Sequence, residues 1–309
     1  MTGPGPGLRG ALAAGRFAVT AEIGPPRGAD RDAIARAAGH LRGWVDAVNV
    51  TDHPSAHVQV GSLAGCVLAA EAGIEPVMQL TCRDRNRIAL QSDLLSAAVL
   101  GIPNVLLLTG DHPVHGDHPE AKPVFDLDGV QLVRTARTMR DAGRLLSGRV
   151  VDPPPRFLVG AVENPFAPPT RFRAARLGKK VAAGAEFCQT QFVFDVAAFA
   201  AWMRQVVDLG LTQRCAVIAG VGPVRSLRAH EFLRTGVPGV VVPESVGRRL
   251  RGVPAHRVAD EGVLMCAETI AALREIPHLA GVHVMAFGYE RGVPEILETA
   301  GLTRRLRAG

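Results

Sequence analysis

Short apolar runs that stop on a polar or charged residue recur along this 309-residue chain. Phe17-Ala-Val-Thr-Ala-Glu22 is the first, and Val45-Asp-Ala-Val-Asn-Val-Thr51-Asp52 and Pro76-Val-Met-Gln79-Leu-Thr81 follow. Val105-Leu-Leu-Leu-Thr109-Gly-Asp111, Phe157-Leu-Val-Gly-Ala-Val-Glu163-Asn164 and Phe187-Cys-Gln189-Thr-Gln191 repeat the form. A parallel strand covered on both faces reads as such a near-continuous hydrophobic run. Further strand-like runs begin near Cys215 and Val282. The first four runs are spaced by about 30 residues, the length of a βαβ unit.

Helical periodicity fills the gaps. It predicts helices over Arg31 to Leu41, with Asp30 as N-cap, then Val58 to Ala72, Arg87 to Leu100 and Val130 to Leu146. Arg171 to Ala183, Val196 to Leu209, Ser226 to Arg234, Ala259 to Arg274 and Val293 to Thr299 continue the series. Strand alternating with helix through eight rounds predicts a (β/α)8 TIM barrel rather than an open sheet. The long connection Gly236 to Gly281 predicts extra helices between strands 7 and 8, at Glu244 to Leu250 and Ala259 to Arg274. The eighth strand is expected at Val282 to Phe287, in preference to Gly239-Val-Val-Val-Pro243. The expectation is one barrel domain over 1–309, with residues 1–14 a flexible N-terminal segment.

Composition adds little to the fold and more to the partners. Hydrophobic residues make up 47% of the chain, enough for a large core. The net charge of +6 suits an anionic ligand. Basic residues are scattered and not interleaved with aromatics, so nucleic acid is not expected. Cys66, Cys82, Cys188, Cys215 and Cys266 form no C-x-x-C pair and read as buried thiols of a reducing compartment. No run reaches membrane-spanning length and no signal-peptide pattern opens the chain, so a cytoplasmic protein with no membrane partner is expected.

In a barrel, residues at the C-terminal ends of strands line the mouth where chemistry occurs. Glu22, flanked by apolar residues and by Pro25 and Pro26, is a candidate general acid or a charge that merely ends a strand. Asp111 could accept hydrogen bonds from a heterocycle, with Gly110 permitting close approach, or cap its own loop. Gln189 and Gln191 are two apart on a strand and so share a face, where a polar ligand or a water network would satisfy them. The His112, His115 and His118 run, with Asp111 and Asp117, lacks zinc-site spacing, so no metal is expected. Lys179 and Lys180, with Arg173 and Arg176 a helical turn earlier, could meet a diphosphate or form a solvated basic face. No G-x-G-x-x-G follows a strand and no Walker A motif is present, so any dinucleotide is not held as in a Rossmann fold.

Taken in order, Ala21-Glu22-Ile-Gly-Pro-Pro, Val48-Asn-Val-Thr51, Leu80-Thr-Cys82, Leu108-Thr-Gly-Asp111 and Ala183-Gly-Ala-Glu-Phe-Cys-Gln-Thr190-Gln191-Phe-Val-Phe-Asp195 resemble the methylenetetrahydrofolate reductase family. The resemblance implies a TIM barrel that reduces 5,10-methylenetetrahydrofolate to 5-methyltetrahydrofolate, with FAD passing hydride from NADH or NADPH. It implies Glu22 as the acid that opens the five-membered ring, and Asp111 as the carboxylate beside flavin and pterin. Gln191, with Gln189, would bind the folate. Thr51, Gln79, Thr109, Gly110, Asp111, Asn164, Arg176, Lys179 and Lys180 fall at or near cofactor positions. Several of these differ from the family pattern. Gln79 and Asn164 stand where histidine is common, Thr109 where arginine is, and Arg173 where aspartate is. Tyr289 stands where a folate-binding arginine is common. The pattern is that of a divergent branch. Three further readings stand beside the main one: a flavin-free reductase, a folate-binding subunit of a methyl-transfer complex with little activity alone, and a barrel lyase using Glu22 and Lys180. A homo-oligomer or a partner subunit is compatible with each.

Overall fold

The computed structural model describes residues 7–237 and 239–304. Its elements are, in order, α1 (Gly7–Ala13), β1 (Ala18–Ile23), α2 (Arg31–Leu41), β2 (Ala47–Val50), α3 (Ser62–Glu71), β3 (Pro76–Thr81), α4 (Arg87–Val99) and β4 (Asn104–Leu108). Then come α5 (Gly129–Asp141), β5 (Leu158–Glu163), α6 (Arg173–Ala183), β6 (Phe187–Phe192), α7 (Val196–Asp208), β7 (Ala216–Val221) and α8 (Leu227–Thr235). The chain continues through α9 (Glu244–Arg251), α10 (Val258–Arg274), β8 (Leu279–Val284) and α11 (Val293–Thr299). The eight strands are parallel and close on themselves through the pairing of β8 with β1, where His283 lies opposite Thr20. This is the TIM barrel the alternation predicts.

Local chemistry sets the helix starts. Asp30 accepts from the amides of Asp32 and Ala33 and caps α2 as its position suggested. Asp128 and Gln131 form a reciprocal capping box on α5. From there Leu132, Val133, Ala136 and Met139 turn one apolar stripe toward the sheet. The strands themselves are buried almost throughout. A single continuous core of such residues fills the space between sheet and helices.

Inside the barrel the packing is layered. Ala18, Ala47, Val77, Leu106, Leu158, Phe187 and Ile218 form an apolar floor at the strand starts. Phe187 is large enough to cross this floor only because Gly160 faces it; a Cβ there would lie 2.2 Å from the ring. Helix α1 closes the floor from below with Leu8 and Ala11, both fully buried. The Leu8 amide donates to Glu75 at 2.9 Å and fixes the plug in place. Part of the segment expected to be flexible is therefore a structural cap. The sequence 1–6 lies outside the described residues.

Two further boundaries differ from expectation. Strand β8 begins at Leu279 rather than Val282 and ends at Val284, because Phe287 is exposed with φ of 49°, a left-handed geometry no strand continues through. The connection between β7 and β8 holds α8, α9 and α10, as the two predicted extra helices required. The Gly239 to Pro243 run contributes no strand among its described residues. Val240 packs instead with Val246, Leu250 and Val258 in a satellite core beneath the inserted helices.

Candidate functional site

Above the apolar floor the interior turns polar. On β1, Thr20 and Glu22 alternate on the inward face. Asn49 on β2, Gln79 on β3, Gln189 on β6 and His283 on β8 come in from the other sides. All four of these are buried. Asn49 Nδ2 donates to Gln189 Oε1 at 2.6 Å, and Gln189 Nε2 returns a bond to Asn49 Oδ1 at 3.2 Å. Gln189 Nε2 also reaches Thr20 Oγ1 at 3.1 Å. Thr20 Oγ1 lies 2.9 Å from His283 Nδ1. His283 Nε2 stands 3.8 Å from Glu22 Oε2, and Gln79 Nε2 donates to the same oxygen at 3.4 Å. A polar line thus crosses the barrel and ends beneath a half-buried carboxyl.

This arrangement gives Gln189 a different job from the expected one. It is 2% exposed and its amide is already bonded on two sides, so it supports the site from below rather than contacting a substrate. Gln191 does stand at the rim. A register shift between Gln189 and Phe192 separates the two glutamines, and Gln191 Oε1 accepts from the Phe192 amide at 3.0 Å. Asp111 follows β4 and is exposed, with no side-chain hydrogen bond or ion pair among the described residues.

Thr51 sits just past β2, 2% exposed, and its hydroxyl is buried without a partner among the described residues. Next to it Asp52 ties the floor of the loops. It accepts from the Thr81 amide and hydroxyl at 2.9 and 2.8 Å and takes both terminal nitrogens of Arg85. The β2–α3 and β4–α5 loops interlock above this. His53, Ser55 and Ala56 carry positive φ, and the Val58 amide donates to Asp117 at 3.0 Å. His112 Nδ1 accepts from Val114 at 3.2 Å, its ring stacks on Phe125, and His118 faces Glu120. Among the described residues no group of three or more metal-ligating side chains converges.

Of the residues expected around a cofactor, Gln79 belongs to this line, and the others lie apart from it. Thr109 Oγ1 accepts the first amide of α5 at 3.1 Å. Gly110 has φ of 89° and backs on Thr81 and Arg83, so the turn itself requires glycine. Asn164 donates to Gly239 O at 2.7 Å and accepts from Phe166 at 3.0 Å. Lys180 is 8% exposed; its Nζ donates to Glu163 Oε2 at 2.8 Å and to Val162 O. Arg173 donates to Ala167 O and Pro168 O and approaches Glu163 at 3.8 Å. Arg176 and Lys179 are exposed on α6. Expecting Lys180 to meet a diphosphate overlooked that an inward-facing helix position delivers it to a buried carboxylate.

Sequence reasoning missed three members of the polar line, Thr20, Asn49 and His283, and also passed over Arg225. The period of two along a strand would have found Thr20 from Glu22, and a polar residue inside an apolar run marks Asn49 and His283. Arg225 had no such signal. It follows β7, half-buried, with its guanidinium carbon 3.5 Å from the ring centre of Tyr289 and its Nε buried without a partner among the described residues. All five cysteines are buried. Burial pushes the Cys66, Cys82, Cys215 and Cys266 thiols up to about 12 and Cys188 well up, which removes them as nucleophiles.

A family model described as methylenetetrahydrofolate reductase matches residues 8–301. Methylenetetrahydrofolate reductase 2 of Schizosaccharomyces pombe is 27% identical over 235 residues, which cover 74% of this chain and 36% of that protein. A probable methylenetetrahydrofolate reductase (NADPH) of Caenorhabditis elegans is 22% identical over 232 residues, covering 74% of this chain and 33% of that protein. The chain thus spans about a third of the length of these curated relatives. Among solved structures, an uncharacterized protein from Clostridium thermocellum that binds two copies of 5-methyl-5,6,7,8-tetrahydrofolic acid superposes with a TM-score of 0.68. It is 13% identical and covers 95% of this chain and 99% of its own, a likeness of fold.

Proposed function

The chain belongs to the methylenetetrahydrofolate reductase family, and from that premise we propose that it reduces 5,10-methylenetetrahydrofolate to 5-methyltetrahydrofolate with hydride from NADH or NADPH. The observation that carries the reading is Glu22, a carboxyl at the barrel mouth whose Oε2 is held by Gln79 and faces His283. A general acid must be oriented before it can help. Here the orientation is built into three strands.

The steps assigned to this chain's residues are few. Glu22 gives its proton to the ring nitrogen that leaves as the five-membered ring opens. The C–N bond breaks and the electron pair of the other ring nitrogen forms a 5-iminium cation. Asp111, exposed at the β4 end, offers a negative charge to that cation. Gln191 at the rim has its Nε2 available to an acceptor on the pterin, since its Oε1 already holds Phe192. Hydride adds to the exocyclic carbon and completes the methyl group.

Two routes could bring the hydride: through FAD, or directly from the nicotinamide. Three of the residues that the family resemblance assigned to FAD are committed elsewhere. Thr109, Asn164 and Lys180 have their polar groups engaged in backbone contacts or a buried ion pair. Thr51, whose buried hydroxyl has no partner among the described residues, and the exposed Asp111, Arg176 and Lys179 are not so engaged. The engagement of Thr109, Asn164 and Lys180 supports the direct route, and the proposed reaction runs without FAD. Deuterium from 4-deuterated NADH or NADPH tests it. Reduced flavin exchanges its transferable hydrogen with water, so label retained in the product methyl group supports direct transfer. Label lost to solvent, together with a yellow protein, would sink the flavin-free route. Absence of any NAD(P)H- and folate-dependent turnover would sink the reductase reading itself.

A further inference from the structure

The β7–β8 side of the mouth keeps a half-buried cation without a counter-charge. We propose that Arg225, laid flat on the Tyr289 ring, is an oxyanion-binding residue that takes a carboxylate or phosphate group of a molecule bound at the mouth. The inference rests on the proposed reaction for the identity of that molecule, while the anion site itself stands without it.

A charge withdrawn from water needs a partner. Among the described residues, every other lysine or arginine that is buried or half-buried has one: Arg83, Arg85, Arg140, Arg173, Lys180 and Arg249 each lie within ion-pair reach of a carboxylate. Arg225 is the exception. It has no ion pair and no side-chain hydrogen bond among the described residues, and its Nε is buried and unbonded. What it does have is the ring of Tyr289.

The two residues follow the C-terminal ends of adjacent strands, Arg225 after β7 and Tyr289 after β8. That is the end where a barrel keeps its ligands. The guanidinium carbon stands 3.5 Å from the ring centre. At that distance the planar group must lie flat, because an edge-on nitrogen would be driven into the ring. A flat guanidinium spends its face on the ring and keeps its N–H edge, the fork that matches a carboxylate or a phosphate. An oxyanion on the terminal nitrogens compensates the whole delocalised charge, the enclosed Nε included. Arg291, exposed and 5.7 Å from the same ring centre, adds to the positive field and has no carboxylate partner among the described residues.

The seat is fixed from behind. A Cβ on Gly292 would come within 1.9 Å of the Tyr289 ring, so the ring rests on bare backbone. A Cβ on Gly262 would lie 2.1 Å from Val224 O and 3.2 Å from the Arg225 amide nitrogen, so α10 packs directly against the chain that carries the guanidinium. Ser226 then caps α8, its Oγ accepting from the Ala229 amide at 3.0 Å. An arginine held in place before a ligand arrives loses little freedom on binding. Two molecules of the proposed reaction carry oxyanions: the substrate at its glutamyl carboxylates and the nicotinamide dinucleotide at its phosphates.

Calorimetric binding to wild-type protein and to Arg225→Gln tests the assignment. The probes are 5-methyltetrahydrofolate, 6-methyltetrahydropterin (which lacks the benzoyl-glutamate arm), NADH and NADPH. The variant should bind its oxyanion ligand about 10–100-fold more weakly, the worth of a charge-assisted fork. A loss for 5-methyltetrahydrofolate with the pterin unchanged assigns the site to a glutamyl carboxylate. A loss for NADH and NADPH alike assigns it to the diphosphate, and a loss for NADPH alone to the 2′-phosphate. Glutarate and pyrophosphate are probes independent of the reductase reading. At millimolar concentration one of them should raise the thermal midpoint of the wild-type protein and leave that of Arg225→Gln unmoved. Such a shift in a protein that binds neither folate nor nucleotide would keep the anion site and remove the reductase. Arg225→Lys keeps the charge without the fork and should recover part of the loss. If Arg225→Gln does not fold, a loss of about threefold in Arg225→Lys carries the test. The inference fails if substitution of Arg225 changes neither the affinity of any probe nor the response to either anion.

Discussion

The two sides of the barrel mouth are built in opposite ways. On the side of β1, β2, β6 and β8, polar side chains point inward and bond to one another beneath Glu22. On the side of β4, β5 and α6, polar side chains serve the scaffold. Lys180 neutralises Glu163, Asn164 clamps Gly239, and Thr109 starts α5. The first side keeps a carboxyl at the surface of a preorganised network. The second offers a ligand Asp111 and, on α6, the exposed Arg176 and Lys179. On the proposed reading, the first side protonates and polarises the substrate.

The sharpest way to break the comparison is to change Glu22. Glu22→Gln keeps the shape and the acceptor at one oxygen but removes the transferable proton. It should lower folate reduction by about 10²–10⁴-fold, the usual contribution of a general acid. Steady-state kcat/KM for methylenetetrahydrofolate measures it. Asp111→Asn should cost less, because an exposed carboxylate acts through a more screened field. If the two variants lose activity equally, the acid side has no special standing.

The scaffold side makes a different demand. Lys180→Met leaves Glu163 buried beside an apolar side chain, with Arg173 at 3.8 Å as its remaining cation. Breaking a buried pair from one end costs about 3–5 kcal/mol. Urea unfolding should therefore show a large loss of stability, while KM for NADH or NADPH stays near the wild-type value. A stable Lys180→Met protein with a raised nucleotide KM would return Lys180 to the cofactor and reverse the assignment of that side.

The same contrast explains what could be read from sequence. Apolar runs ending on polar residues located β1 to β6, because burial on both faces leaves a plain hydrophobic record. Glu22, Asp111 and Gln191 were legible as strand-end positions. What a residue bonds to was less legible. Gln189 and Gln191 share a period of two, yet a register shift sends one into the floor network and the other to the rim. Lys180 and Lys179 are neighbours in the chain, and a turn of about 100° on a helix buries one and exposes the other. Helix α1 was hidden because Gly-Pro composition suggested flexibility, while Leu8 and Ala11 find their partners only once the barrel is closed. The pairing of Arg225 with Tyr289 joins two loops whose approach no local pattern records.

Thr51 lies between the two sides and is the mildest test of them. Its hydroxyl is buried without a partner among the described residues, so in the free protein it contributes desolvation without a compensating bond. Thr51→Val replaces the hydroxyl with a methyl of similar size. Stability should stay level or rise by about 1 kcal/mol, read from the midpoint of thermal or urea unfolding. A loss of that size would mean the hydroxyl is bonded in the free protein, to an ordered water for instance. If the fold is unharmed and the KM for the nicotinamide rises while that for folate does not, Thr51 is a polar group the mouth keeps ready for the hydride donor. An equal rise in both KM values would place it at the shared face where the two substrates meet, and the division of the mouth would then run through Thr51 itself.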